Sequence, residues 1–162
     1  MEMDNRLTDL ERRVAALEGG ERPVPAVDGD PFFLLRALKE RIEEPGAVAY
    51  VGAVTLPDGQ TAEWQFGRPA GAVLEVEWAG RASALAALGN PVRLTLLQEI
   101  VRGRTTVAAL GEIEGVGTSG QIYHHLRQLA AEGWLHSPSR GVFAVPVARV
   151  VPLLAILVAL EK

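Results

Sequence analysis

The chain has 162 residues, of which 48% are hydrophobic and 22% charged, a composition that fits one or two globular cores and excludes a disordered or fibrous chain. It contains no cysteine, which removes disulfides, thiolate metal sites and cysteine nucleophiles. The net charge of −4 hides a split: residues 1–80 carry 8 Lys and Arg against 15 Asp and Glu, whereas residues 81–150 carry 7 Arg against 4 Glu, together with all three histidines. A basic module joined to an acidic one is the electrostatic footprint of nucleic-acid binding.

Residues 3–18 carry a heptad, with Leu7 and Val14 at position a and Met3, Leu10 and Leu17 at position d. In a parallel pair Arg6 would face Glu11 and Arg13 would face Glu18, both attractive. The alternative is an amphipathic helix lying on its own domain. Residues 1–18 are therefore expected as a short coiled-coil helix. Little more than two heptads is too short to hold by itself, so it would add to a dimer built elsewhere.

Residues 19–30 read as a linker, from Gly19 and Gly20 through Pro23 and Pro25 to Gly29. Asp30 and Pro31 then resemble an N-cap and a first helical residue, ahead of an apolar stripe of Phe32, Leu35, Leu38 and Ile42 that ends near Glu44. Ala47–Leu56 alternates, with Val48, Tyr50, Val54 and Leu56 on one face. The turn Pro57-Asp58-Gly59-Gln60 leads back through Thr61–Phe66, which predicts a β-hairpin. Its Trp64 and Phe66 are expected in core or dimer packing. Residues 31–69 would thus form a helix plus β-hairpin module, and residues 70–162 a second domain. Within 70–80 the alternation of Val73–Trp78 suits a strand, while Leu74, Trp78, Leu85 and Leu88 suit a helix weakened at Gly80; the helix is the preferred reading.

From Leu88 the signals become regular. Asn90-Pro91 caps a helix with Val92, Leu96, Leu97, Ile100 and Val101 inward, and Thr106 caps a short one with Val107, Leu110 and Ile113 inward. A turn with Gly115 and Gly117 follows. Thr118 and Gln121 then form a T-x-x-Q capping box, opening a helix over 118–131 whose Ile122, Leu126 and Leu129 share one face. The spans Trp134–His136 and Val142–Val145 flank a turn bearing Arg140, as a two-stranded wing over 134–145 would. The fold class expected is α+β, mainly α: a winged helix-turn-helix preceded by the coiled-coil helix and the hairpin module. Val150–Leu160 is apolar on all sides, which points to burial between two subunits through Leu153, Leu154 and Leu157. It is also too short for a bilayer, which takes about 20 residues. With an N-terminus charged from Glu2 onward, the expectation is a cytoplasmic protein without a membrane partner.

The run ALGNPVRLTLLQEIV, followed by TTVAALGEIEGVGTSGQIYHHLRQLAAEGWL and the wing, resembles winged-helix repressors of the arsenical-resistance regulator (ArsR) type over about residues 81–160. The resemblance implies a homodimeric, sequence-specific regulator of transcription, most naturally a repressor, with the 118–131 helix in the major groove of double-stranded DNA. Carried over by position, Thr118, Ser119, Gly120, Gln121, Tyr123, His124 and Arg127 would form the DNA face, with Arg140 on the wing. Two departures stand out. Cysteine-based metal sensing is impossible here, and the segment before residue 70 lies outside the family pattern, so it suggests an added dimerisation or sensing module. Arg makes up 14 of the 16 basic residues, as in GC-rich bacterial genomes.

Gln suits adenine, and Arg suits guanine or phosphate. The free N–H groups at Thr118–Gly120 could hold a phosphate, with Arg102 and Arg104 as secondary phosphate contacts. His124 and His125 point about 100° apart on a helix and so do not readily share one ion. No G-x-S-x-G, Lys-bearing phosphate loop or H-E-x-x-H occurs. Neither a catalytic residue, a metal site nor a cofactor is expected. Partners would be DNA, a second copy, and a small-molecule effector or protein at the hairpin module. The competing reading is a winged-helix scaffold that binds protein rather than DNA.

Overall fold

The computed structural model describes Asp30 and residues 32–161. The heptad with Leu7, Leu10, Val14 and Leu17 lies outside the described residues, as does nearly all of the linker. What is described is α+β, with seven α-helices and two separate two-stranded antiparallel sheets. The chain divides into two compact units between Gly46 and Ala47. This boundary falls ahead of the hairpin, rather than at residue 69, because the hairpin packs on the C-terminal helix.

In the first unit, helix α1 spans Phe33–Lys39. The Asp30 carboxylate accepts the Phe32 N–H at 2.9 Å and pairs with Arg36. The helix stops short of Glu44, and none of its side chains is fully buried. A helix this short depends on a covered face for its length.

The second unit opens with β1 (Ala47–Thr55) and β2 (Thr61–Pro69), paired so that Tyr50 faces Phe66, Gly52 faces Trp64 and Val54 faces Ala62. The return strand runs three residues beyond the expected Phe66. In the turn, Asp58 Oδ1 accepts the Gln60 N–H at 2.9 Å and Leu56 N–H donates to the Gln60 carbonyl at 2.8 Å. The C-terminal helix, Val147–Val158, crosses this sheet. It crosses at the smallest residues: Ala62 is fully buried, and a Cβ on Gly52 would lie 2.7 Å from Val151 Cγ1. Trp64 and Phe66 flank the crossing and stay 39% and 46% exposed. They are therefore not core residues, because one helix is narrower than the face of the ribbon. Val48, expected inward, lies at the uncovered end and is exposed as well.

The single helix expected up to Leu88 is broken. Helix α2 (Ala70–Leu74) ends at Glu75, a 3₁₀ turn covers Trp78–Arg81, and α3 follows over Ala82–Leu88. The Trp78 indole N–H folds back to the Val73 carbonyl at 2.9 Å, giving that helix-end carbonyl a partner. Of the four residues of that stripe, Leu74, Trp78 and Leu85 point out at 66%, 64% and 59% exposure, while Leu88 is buried.

Helix α4 (Pro91–Val101) is capped by Asn90, whose side chain accepts Arg93 N–H at 3.1 Å. Thr106 likewise caps α5 (Val107–Leu110), accepting Ala109 N–H at 3.2 Å. Helix α6 (Ser119–Ala131) follows the glycine turn, and α7 is the C-terminal helix already placed over the hairpin. Leu96, Leu97, Leu110, Ile122, Leu126, Leu129 and Val150 are the largest fully buried side chains, each worth about 2 kcal/mol of transfer free energy. Strands β3 (His136–Ser139) and β4 (Val142–Ala144) form the second ribbon, with an irregular register between His136 and Ser139. Trp134 and Leu135, expected in its first strand, are instead buried anchors ahead of it. The Trp134 indole donates to the Ala84 carbonyl at 3.2 Å.

Candidate nucleic-acid interface

Helix α6 separates its side chains cleanly. Ile122, Leu126 and Leu129 are fully buried, whereas Thr118, Ser119, Gly120, Gln121, His124 and Arg127 are exposed. Successive spacings of three place Gln121, His124 and Arg127 along one outer face. The helix begins with the predicted capping box: Thr118 Oγ1 accepts Gln121 N–H at 3.4 Å, and Gln121 Oε1 accepts Thr118 N–H at 2.8 Å. The close approach of that amide explains Gly117, where φ is +91° and any Cβ would collide with the Gln121 side chain.

This capping box limits what Gln121 can read. Bidentate recognition of adenine needs an acceptor and a donor from the same amide. Here the oxygen is engaged by the Thr118 backbone, and the outward group is the NH₂ donor. Tyr123 also departs from expectation. It is half-buried, its ring edge-on to Phe143 with centroids 6.3 Å apart, and its hydroxyl lies against Gly141. It spans from α6 to the ribbon instead of standing outward. Gln128 accepts Arg93 Nη1–H at 2.7 Å.

The ribbon is tied near its turn to the start of α5. Val107 N–H donates to the Gly141 carbonyl at 3.1 Å, and Phe143 N–H donates to the Thr105 carbonyl at 2.8 Å. Arg140 sits exposed in its turn, and among the described residues neither Arg127 nor Arg140 forms an ion pair. Arg104 differs: its Nε lies 3.1 Å from Glu99, which also holds Arg102 at 2.9 Å. One carboxylate thus restrains both residues expected as secondary phosphate contacts, leaving a net charge of +1 for the three. Such exposed pairs are weak.

The His124 and His125 rings are 5.8 Å apart at 64°. His125 Nδ1 is buried and has no hydrogen-bond partner. Burial lowers its pKa below the ordinary 6.5, and the charges of Arg93 and His124 push the same way. Among the described residues, no group of three or more His, Asp or Glu side chains is arranged to hold a metal ion.

Of the expected dimer residues, Leu153 is buried within its own chain, Leu154 is half-buried and Leu157 is 38% exposed. The hairpin and the helical core cover much of α7, so its apolar circumference does not by itself require a second subunit. Leu154 and Leu157 border a groove of about 350 Å³ shared with Leu94, Leu97 and Val101 of α4.

Arg93 is a residue the sequence reading missed. Its guanidinium donates to the Ala87 carbonyl at 2.5 Å, the Ala86 carbonyl at 2.7 Å and Gln128, joining the end of α3 to α6. A cation at a helix C-terminus is favourable. The available signal was its place three residues after the Asn90 cap, beside the end of the preceding helix.

No helix among the described residues is long and apolar enough to cross a membrane. No protein-family model matches the chain, and comparison with curated proteins and with solved structures found no match.

Proposed function

We propose that the protein is a sequence-specific double-stranded DNA-binding regulator of transcription, acting as a homodimer with a winged helix-turn-helix of the ArsR type. The observation that carries this reading is α6 itself: a capped helix with a fully buried apolar face and an outer face of Ser119, Gln121, His124 and Arg127. The ribbon bearing Arg140 is joined to it by the Tyr123–Phe143 contact. In this reading α5 and α6 form the helix-turn-helix, α6 enters the major groove, and the ribbon approaches the adjacent backbone. The open edge of α7 at Leu154 and Leu157, with the N-terminal heptad, supplies contacts between two copies. Twofold symmetry then sets the two reading helices about one DNA turn apart.

Selection of bound fragments from random duplex DNA, followed by anisotropy titration of the winner, tests this. A specific site with affinity falling steeply between 50 and 200 mM salt is the expected result, because phosphate contacts release counterions. A protein-binding scaffold is the second reading, favoured by the exposed Trp64 and Phe66. Failure to enrich any duplex, with binding insensitive to salt, selects it.

A further inference from the structure

A cleft of about 340 Å³ lies between the hairpin turn and the root of the β3–β4 ribbon, a size within the range of small-molecule sites. Its apolar lining is the half-buried Leu56, Val101 and Ala144 over a buried floor of Ile100, Val145 and Val150; its rim carries Asp58, Gln60 and Thr105. Asp58 is its sole ionisable lining residue among the described residues. One Asp58 oxygen holds the turn through Gln60 N–H, and the other has no protein partner among the described residues. An apolar floor below a single carboxylate favours one ligand chemistry: a short hydrocarbon body ending in a protonated amine. It disfavours an anion of the same shape, which would bring two negative charges together at the rim.

We propose that this cleft binds a small aliphatic or aryl-alkyl amine, with its hydrocarbon on Leu56 and Val101 and its ammonium at Asp58. Occupancy acts on the ribbon directly. The Thr105 carbonyl that receives Phe143 N–H belongs to a wall residue, and Val145 of the floor lies two residues beyond Phe143. That consequence rests on the DNA-binding reading; the site itself does not.

The test is methyl NMR of the full chain titrated separately with hexylammonium, hexanol and hexanoate. Saturable shifts at Leu56, Val101 and Ala144 are expected with hexylammonium, about threefold weaker binding with hexanol, and none with hexanoate, the first ratio being that of an exposed charge contact. Asp58→Asn keeps an oxygen to accept Gln60 N–H and removes only the charge, so it should abolish the preference for the ammonium over the alcohol. Equal responses to ammonium and carboxylate, or shifts that never saturate, overturn the site. Anisotropy with the selected duplex at constant ionic strength separates the two proposals. Methyl shifts without a change in DNA affinity remove the link to the ribbon and leave the site standing. Saturable, Asp58-dependent shifts in a protein that binds no duplex leave the site and remove the DNA-binding reading.

Discussion

Gly52→Ala tests the contact that seats the hairpin on the C-terminal helix. The new Cβ would lie 2.7 Å from one methyl of Val151 and 3.3 Å from the other. Val151 is buried and β-branched, so it has little rotamer freedom with which to retreat, and the strand must lift away. Overpacking of this kind costs about 1–3 kcal/mol. Replacing a strand glycine returns about 0.5–1 kcal/mol by restricting the unfolded chain. The net expectation is destabilisation by about 1–2 kcal/mol, read by urea unfolding of the chain's tryptophan fluorescence. Val151→Ala alone should cost about 2 kcal/mol through lost burial. The double variant should be more stable than the two losses added together, since the smaller residue makes room for the new methyl. Neutral or stabilising Gly52→Ala, or strict additivity with Val151→Ala, would refute the packing.

Three further outcomes are expected. Arg127→Ala and Arg140→Ala should each weaken binding to the selected duplex and lower its logarithmic salt slope by about 1; unchanged slopes would remove these two guanidinium groups from the interface. Gln121→Glu should retain the capping box and hence stability, while Thr118→Ala should cost about 1 kcal/mol. Loss of DNA affinity in the first with no loss of stability would put position 121 against DNA, since a carboxylate there both removes the amide N–H and repels phosphate; unchanged affinity would remove it from the interface. His125 is held neutral in the folded chain, its pKa below 6.5. The unfolded chain therefore takes up the proton first as pH falls, and stability is lost below about 6.5 and level above it. His125→Gln should flatten that part of a stability–pH curve measured by urea unfolding; an unaltered curve would mean that the imidazole titrates normally.

The local grammar of the chain was legible before the fold. Asn90, Thr106 and Thr118 each place an oxygen where a helix leaves N–H groups unpaired, and each makes the expected bond. The spacing of Ile122, Leu126 and Leu129 gives their burial directly. What covers an apolar surface is not written in its period. Gly52 and Val151 meet across the length of the unit, so the apolar stretch Val150–Leu160 read as an intersubunit helix when its own hairpin covers part of it. Leu74, Trp78 and Leu85 fit a helical stripe, yet the Trp78 indole found a closer acceptor in the Val73 carbonyl and the helix ended there. At the candidate interface, residue types were readable but their competing bonds were not. Gln121 is engaged by its own cap, Arg104 by Glu99, and Tyr123 by Phe143.

The two-stranded ribbon is stitched by main-chain bonds to Thr105–Val107, whereas it meets α6 through the Tyr123–Phe143 ring contact. Hydrogen bonds fix direction and register, and an edge-to-face aromatic pair adds a preferred ring geometry of its own. Because the Gly141 carbonyl, next to Arg140, is one of the bonded groups, it is the turn of the ribbon that is pinned to the start of α5. Under the DNA-binding proposal, Arg140 and the outer face of α6 would then meet a duplex at a set separation, so the pair would favour one groove width over others.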